Sequence, residues 1–337
     1  MSVKSKAETI VSFELFSQLP VDLARYVVQL AIEIDPSCSK DLLEVSRAVR
    51  DWSERMIYRN VAVRCEGDAM RVLNIARSPT RAPHLLAQTV QILTVSHSVT
   101  WEQDDCDPES LLKACAGAFA VAFWSADKIH DSWGGMHNLT HMSITVGCLR
   151  NPLFPESLTH LALVEFSDPV SDVVAQCCSI LKHIGPQCPR FVHFRLEASF
   201  RTTSASDFGK YTESILDVLP DTCCYCTVDI SGLGDTDAEE DSEEEEETGG
   251  SDAACWRRAM RSTIEDINDA RLLLMHSCME DCNRSKILLG LEDIVHHVVS
   301  LLLLEEWGDN WHSRMNLWTQ AEELVNARAS SKDLDRT

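Results

Sequence analysis

Six times past residue 84 the chain returns to one short pattern, apolar-x-x-apolar-x-apolar, at Val90/Leu93/Val95, Phe119/Ala122/Trp124, Leu139/Met142/Ile144, Leu158/Leu161/Leu163, Phe191/Phe194/Leu196 and Cys223/Cys226/Val228. The last two apolar residues of each unit are two apart, which puts them on one side of a short strand. The central residues are spaced by 29, 20, 19, 33 and 32 positions, room enough for the crossover that joins parallel strands. Helix-like segments fill several intervals, at Pro108–Gly117, Ser171–Gly185 and Phe208–Leu219. A unit of one strand and one helix cannot cover its own apolar face, so stacked neighbours in a curved array are the economical solution. Parallel strands would line the concave side, and that side is the expected binding surface. A generic α/β domain with several short strands is the other fold these residues allow.

Ahead of the repeats lies a different pattern. Leu19-Pro20 opens a helix, with Pro20 where its missing N–H costs nothing. Leu23, Val27, Leu30 and Ile34 then recur at +4, +3 and +4, one face of a helix that should bury a stripe. Pro36 ends it, and Ser39 is placed to cap a second helix in which Leu42, Val45, Val49 and Trp52 share a face. A third short helix around Glu54–Tyr58 leads into Asn60-Val61-Ala62-Val63, whose alternation predicts a strand. About 45 residues with three short helices are too few for much stability alone, so the unit should lean on a partner or on the rest of the chain.

The order Leu19-Pro20, helix, Val45-Ser46-Arg47-Ala48-Val49-Arg50-Asp51-Trp52, then Tyr58-Arg59-Asn60-Val61 resembles an F-box over residues 15–63, in the form common among F-box-like proteins of mushroom-forming (basidiomycete) fungi. The resemblance implies that Leu19, Pro20, Leu23 and Val27, with Val45, Val49 and Trp52 on the second helix, meet the Skp1-type adaptor protein of a cullin-RING ubiquitin ligase. The sequence departs from the pattern at Ser46 and Val49, where many F-boxes carry a Cys-Arg-then-Trp cluster. Leu149-Arg150-Asn151-Pro152-Leu153-Phe154 running into Leu158-Thr159-His160-Leu161-Ala162-Leu163 is similar to the repeat body of the same family, and the loose period sits near the roughly 20–29 residues of leucine-rich repeats. The ending Trp307, Trp311, Trp318 with Ala321-Glu322 also resembles that family's termini. What the family implies is a substrate-recognition subunit that performs no bond chemistry, its leucine-rich-repeat-like array holding a client protein the sequence does not identify. A scaffold with a vestigial F-box-like unit, and a hydrolase whose site is invisible in sequence, are the alternatives.

Charge is unevenly placed. The net charge is −23, but residues 233–252 hold eleven carboxylates and no Lys or Arg, leaving −12 elsewhere. Ten of those carboxylates crowd Asp235–Glu247, flanked by glycines, so self-repulsion predicts a disordered insertion. Within it Ser242, followed by three glutamates, is a candidate phosphosite for an acidophilic kinase. No basic patch with interleaved aromatics exists to neutralise phosphates, which disfavours nucleic acid. The longest charge-free apolar stretches, Ala114–Ala126 and Ile294–Leu304, fall short of the roughly 20 residues of a membrane span. The polar first ten residues show no secretory pattern, so a cytoplasmic or nuclear protein is expected, with its fourteen cysteines reduced and largely buried.

Candidate metal ligands are Cys223-x-x-Cys226, Cys278-x-x-x-Cys282 and His137-x-x-x-His141, but a structural zinc needs two such pairs at defined separation, and these do not assemble. Phosphate-cradling G-x-x-x-x-G-K-[ST] and G-x-G-x-x-G are missing, as is G-x-S-x-G. No catalytic, cofactor or metal residue is assigned. The expected molecule is α/β: a flexible N-terminus (1–14), a small three-helix F-box-like unit (15–63), an irregular leucine-rich-repeat-like strand/helix array (64–232), the acidic insertion (233–252), closing helices and strands (253–329) and a tail (330–337). In the closing part, a helix over Ala253–Asp269, strands at Leu272–Met275 and Ile287–Leu289, and a helix over Met315–Ala327 capping the array's end are expected, the last with Leu317, Ala321 and Leu324 as its apolar stripe.

Overall fold

The computed structural model describes residues 18–79, 81, 84–101, 106–125, 132–149, 153–165, 170–198, 200, 203–229, 249–278, 295–299 and 321–327. The chain forms two compact units whose boundary falls between Arg59 and Asn60.

The first unit holds α1 (Val21–Ile34), α2 (Ser39–Val45) and α3 (Arg47–Ile57). The second and third helices differ from the sequence expectation, because the chain breaks at Ser46. Its backbone is extended and its hydroxyl accepts from the Val49 N–H at 3.2 Å, capping a single α3 that runs on past Trp52 to Ile57. α1 is rotated from expectation too. Ala24, Val28 and Ile32 are its buried residues, and Val28 and Ile32 pack on Val49 with Leu42, Trp52 and Met56 alongside. The predicted stripe of Leu23, Val27, Leu30 and Ile34 is exposed. The helix is apolar on both sides, so periodicity alone could not choose its inner face.

The second unit is built on one nine-stranded sheet in the order β1-β2-β3-β4-β5-β6-β7-β8-β9, every neighbour parallel. The strands are β1 (Asn60–Val63), β2 (Ile92–Val95), β3 (Ala120–Phe123), β4 (His141–Thr145), β5 (His160–Glu165), β6 (His193–Ala198), β7 (Tyr225–Asp229), β8 (Leu272–Cys278) and β9 (Val295–Val299). Between them run α4 (Glu66–Arg77), α5 (Leu85–Thr89), α6 (Pro108–Ala114), α7 (Val170–Gln187), α8 (Ala205–Val218) and α9 (Gly249–Ile267), of which α7, α8 and α9 pack in succession side by side. Strand order equals chain order, so the sheet has no switch point of the kind where open α/β sheets bind nucleotides.

Register puts Leu93, Val121, Met142, Leu161, Phe194, Cys226 and Leu272 in one row across the sheet. With Val95, Phe123, Ile144, Leu163, Leu196 and Val228 they form the helix-side core, all buried; Glu165, on the same side of β5, acts on Cys177 of α7. Five of the six sequence units fall in this register. The Phe119/Ala122/Trp124 unit is off by one: Val121 and Phe123 face the helices, while Ala122 and Trp124 cluster on the other face with Ile92, Ala120 and Val164. β3 is buried on both faces, so it lacks the alternation that would fix which residues point inward.

The second face was expected to be an open binding surface, but its residues are largely buried. Thr94, Ser143, Ala162, Arg195, Thr227 and Leu273, one row of it, are all under a tenth exposed. The helix at 321–327 lies on this face, with Ala321 and Leu324 packed on Leu273 and Met275 of β8, where capping of the array's end was expected. The Ala253–Asp269 helix and the Leu272–Met275 strand appear as α9 and β8. Ser242, Ile287–Leu289, Leu317 and the tryptophans at 307, 311 and 318 lie outside the described residues. Among the described residues no helix is long and apolar enough to cross a membrane.

Candidate functional site

Two surfaces stand out, one in each unit. In the first, Leu19, Leu23, Val27, Leu30 and Ile34 follow one another at +4, +4, +3 and +4 and are between 37% and 76% exposed, with Val21, Tyr26 and, on α2, Val45 also open to solvent. A contiguous apolar stripe on a small helical unit that already has its own core marks an interaction face, and this spacing is that of a helix presenting anchors to a partner. Of the sequence-predicted adaptor contacts, Leu19, Pro20, Leu23, Val27 and Val45 are exposed. Val49 is 3% exposed and Trp52 packs beside it, so these two shape the unit from within; Val49 does not offer a contact surface.

In the second unit the strands carry a ladder that the apolar pattern does not reveal. His141, His160, His193 and Tyr225 occupy one row of the second face, each in register with the next, and their rings stack with centroids 4.0, 4.2 and 4.3 Å apart. Two of the histidines are oriented by the residue before them. Thr140 Oγ1 donates to Phe119 O at 3.1 Å and lies 2.8 Å from His141 Nδ1; Thr159 Oγ1 donates to Thr140 O at 3.0 Å and lies 2.7 Å from His160 Nδ1. Each hydroxyl thus holds the Nδ1 edge of the following imidazole, and the tautomer sets which of the two donates. The signal in the sequence is a repeated Leu-Thr-His, at Leu139-Thr140-His141 and Leu158-Thr159-His160, and a search for leucine spacing alone misses it.

Burial holds the ladder neutral. It brings His141 down to about 4 and, with His141 and His193 on either side, His160 down to about 2. His193 is brought to about 4 by burial and then by His141, and its Nε2 lies 2.9 Å from a Glu322 carboxylate oxygen. One register row on, Arg195 lies 3.0 Å from Glu197 and 3.1 Å from Asp229, all three almost wholly desolvated. Arg195 offsets part of the cost of burying the two carboxylates.

His160, His193 and Glu322 bring three ligand atoms within 4.8 Å of one another. An ion shared by two imidazoles must lie in both ring planes, roughly 2.0–2.1 Å from each nitrogen. The His160 and His193 rings are nearly parallel, 11° apart, and so aim their nitrogens side by side where chelation needs convergence; the geometry suits a stacked ladder closed by a carboxylate. The cysteine pairs do not form a ligand set either. Cys223 and Cys226 are buried, burial raising the first to about 12 and the second well above the ordinary thiol range, the opposite of what a thiolate ligand needs. His137 is exposed on a turn while His141 is in the ladder, and Cys282 lies outside the described residues. Twelve cysteines among the described residues are free thiols.

Compared with protein-family models, with curated proteins and with solved structures, the chain matches none.

Proposed function

We propose that the chain is a protein-interaction adaptor of the F-box type, in which the exposed face of α1 docks a Skp1-type adaptor of a cullin-RING ligase and the repeat-bearing unit, a leucine-rich-repeat-like array, holds a client. The observation that carries this reading is the open stripe Leu19/Leu23/Val27/Leu30/Ile34 on a three-helix unit whose core is made by other residues, Val28, Ile32 and Val49. Parallel strands in strict chain order, six of the nine marked by the same six-residue pattern, support the array. The test is a pull-down of a purified Skp1-type protein by the full chain. Leu19→Asp with Leu23→Asp should abolish capture while leaving the thermal midpoint unchanged. Capture that survives the pair, or no capture by the unaltered chain, sinks the proposal.

A further inference from the structure

We draw no further inference here: the strongest candidate, the His160–His193–Glu322 cluster on the second face of the sheet, belongs to the stacked ladder already described, whose near-parallel rings, 11° apart, do not converge on an ion.

Discussion

His160 has an imidazole on either side and a threonine hydroxyl fixing its Nδ1, and the result is a ring that resists protonation. In an unfolded chain a histidine titrates near ~6.5, whereas burial holds His141 at about 4 and His160 at about 2. Between those limits the unfolded chain takes up protons that the folded chain refuses. The stabilisation from the ladder is therefore complete above pH ~6.5 and is lost as pH falls from there towards ~4. Among the described residues, the groups placed against the ladder include Phe119, Thr140, Thr159, Tyr225 and Glu322. The urea midpoint should drop between about pH 7.5 and pH 5, and His160→Phe, which keeps a stacked ring but removes a titrating group, should make that drop shallower. His137→Phe, at an exposed turn, serves as control. Equal slopes for all three proteins would mean the stack does not carry the pH dependence.

At the level of elements, the clearest constraint is a glycine where α8 meets α9. A Cβ built at Gly209 collides with Thr263 Cγ2, so glycine here permits a helix-to-helix approach that no other residue would, at a cost of about 1 kcal/mol in helix propensity. Gly209→Ala should lower stability by about 1–3 kcal/mol through overpacking, and adding Thr263→Ser, which deletes the offending methyl, should return most of it. A double-mutant cycle by urea denaturation measures this; no coupling between the two would refute the contact. Neither half of this contact was legible in the sequence, since Gly209 sits inside an ordinary amphipathic pattern. Helix existence was legible from pattern at Pro108–Gly117 and Phe208–Leu219, which appear as α6 and α8; their caps, Asp107 and Ser204, whose side chains accept from the Ser110 and Asp207 N–H groups, were not read from the sequence. Faces were not legible on α1 and β3, because α1 has apolar residues on two sides and β3 is apolar throughout, and the choice is made by what packs against them. On α1 the small Ala24 and the branched Val28 and Ile32 turn inward, and the larger leucines are left outside.

Taken whole, the sheet-bearing unit is an array in which each strand pairs its backbone only with its neighbours in the chain, and this separates what sequence could show from what it could not. The repeat of apolar-x-x-apolar-x-apolar encodes the helix-side core one unit at a time, so a single sequence reveals it. The covering of the second face depends on Ala321, Glu322 and Leu324 reaching strands that lie far earlier in the chain, 129 residues earlier in the case of His193, and no local pattern announces a contact of that span. Nearest-neighbour construction also makes a prediction about how the unit fails. Leu163 is fully buried at the centre of the sheet, in register with Ile144 and Leu196, and Leu163→Ala should cost about 3 kcal/mol in lost burial and cavity. If stability is a sum of units and interfaces, amide protection should fall most in β5, next in β4 and β6, and least in β2, three strands away from β5. A second face sealed as continuously as the first would instead couple all strands, because Trp124 beside Val164 and Glu322 on His193 tie together rows that the ladder alone leaves independent. Graded loss in hydrogen exchange therefore supports an array of units coupled through their neighbours. Uniform loss from β2 to β7 would show one cooperative core.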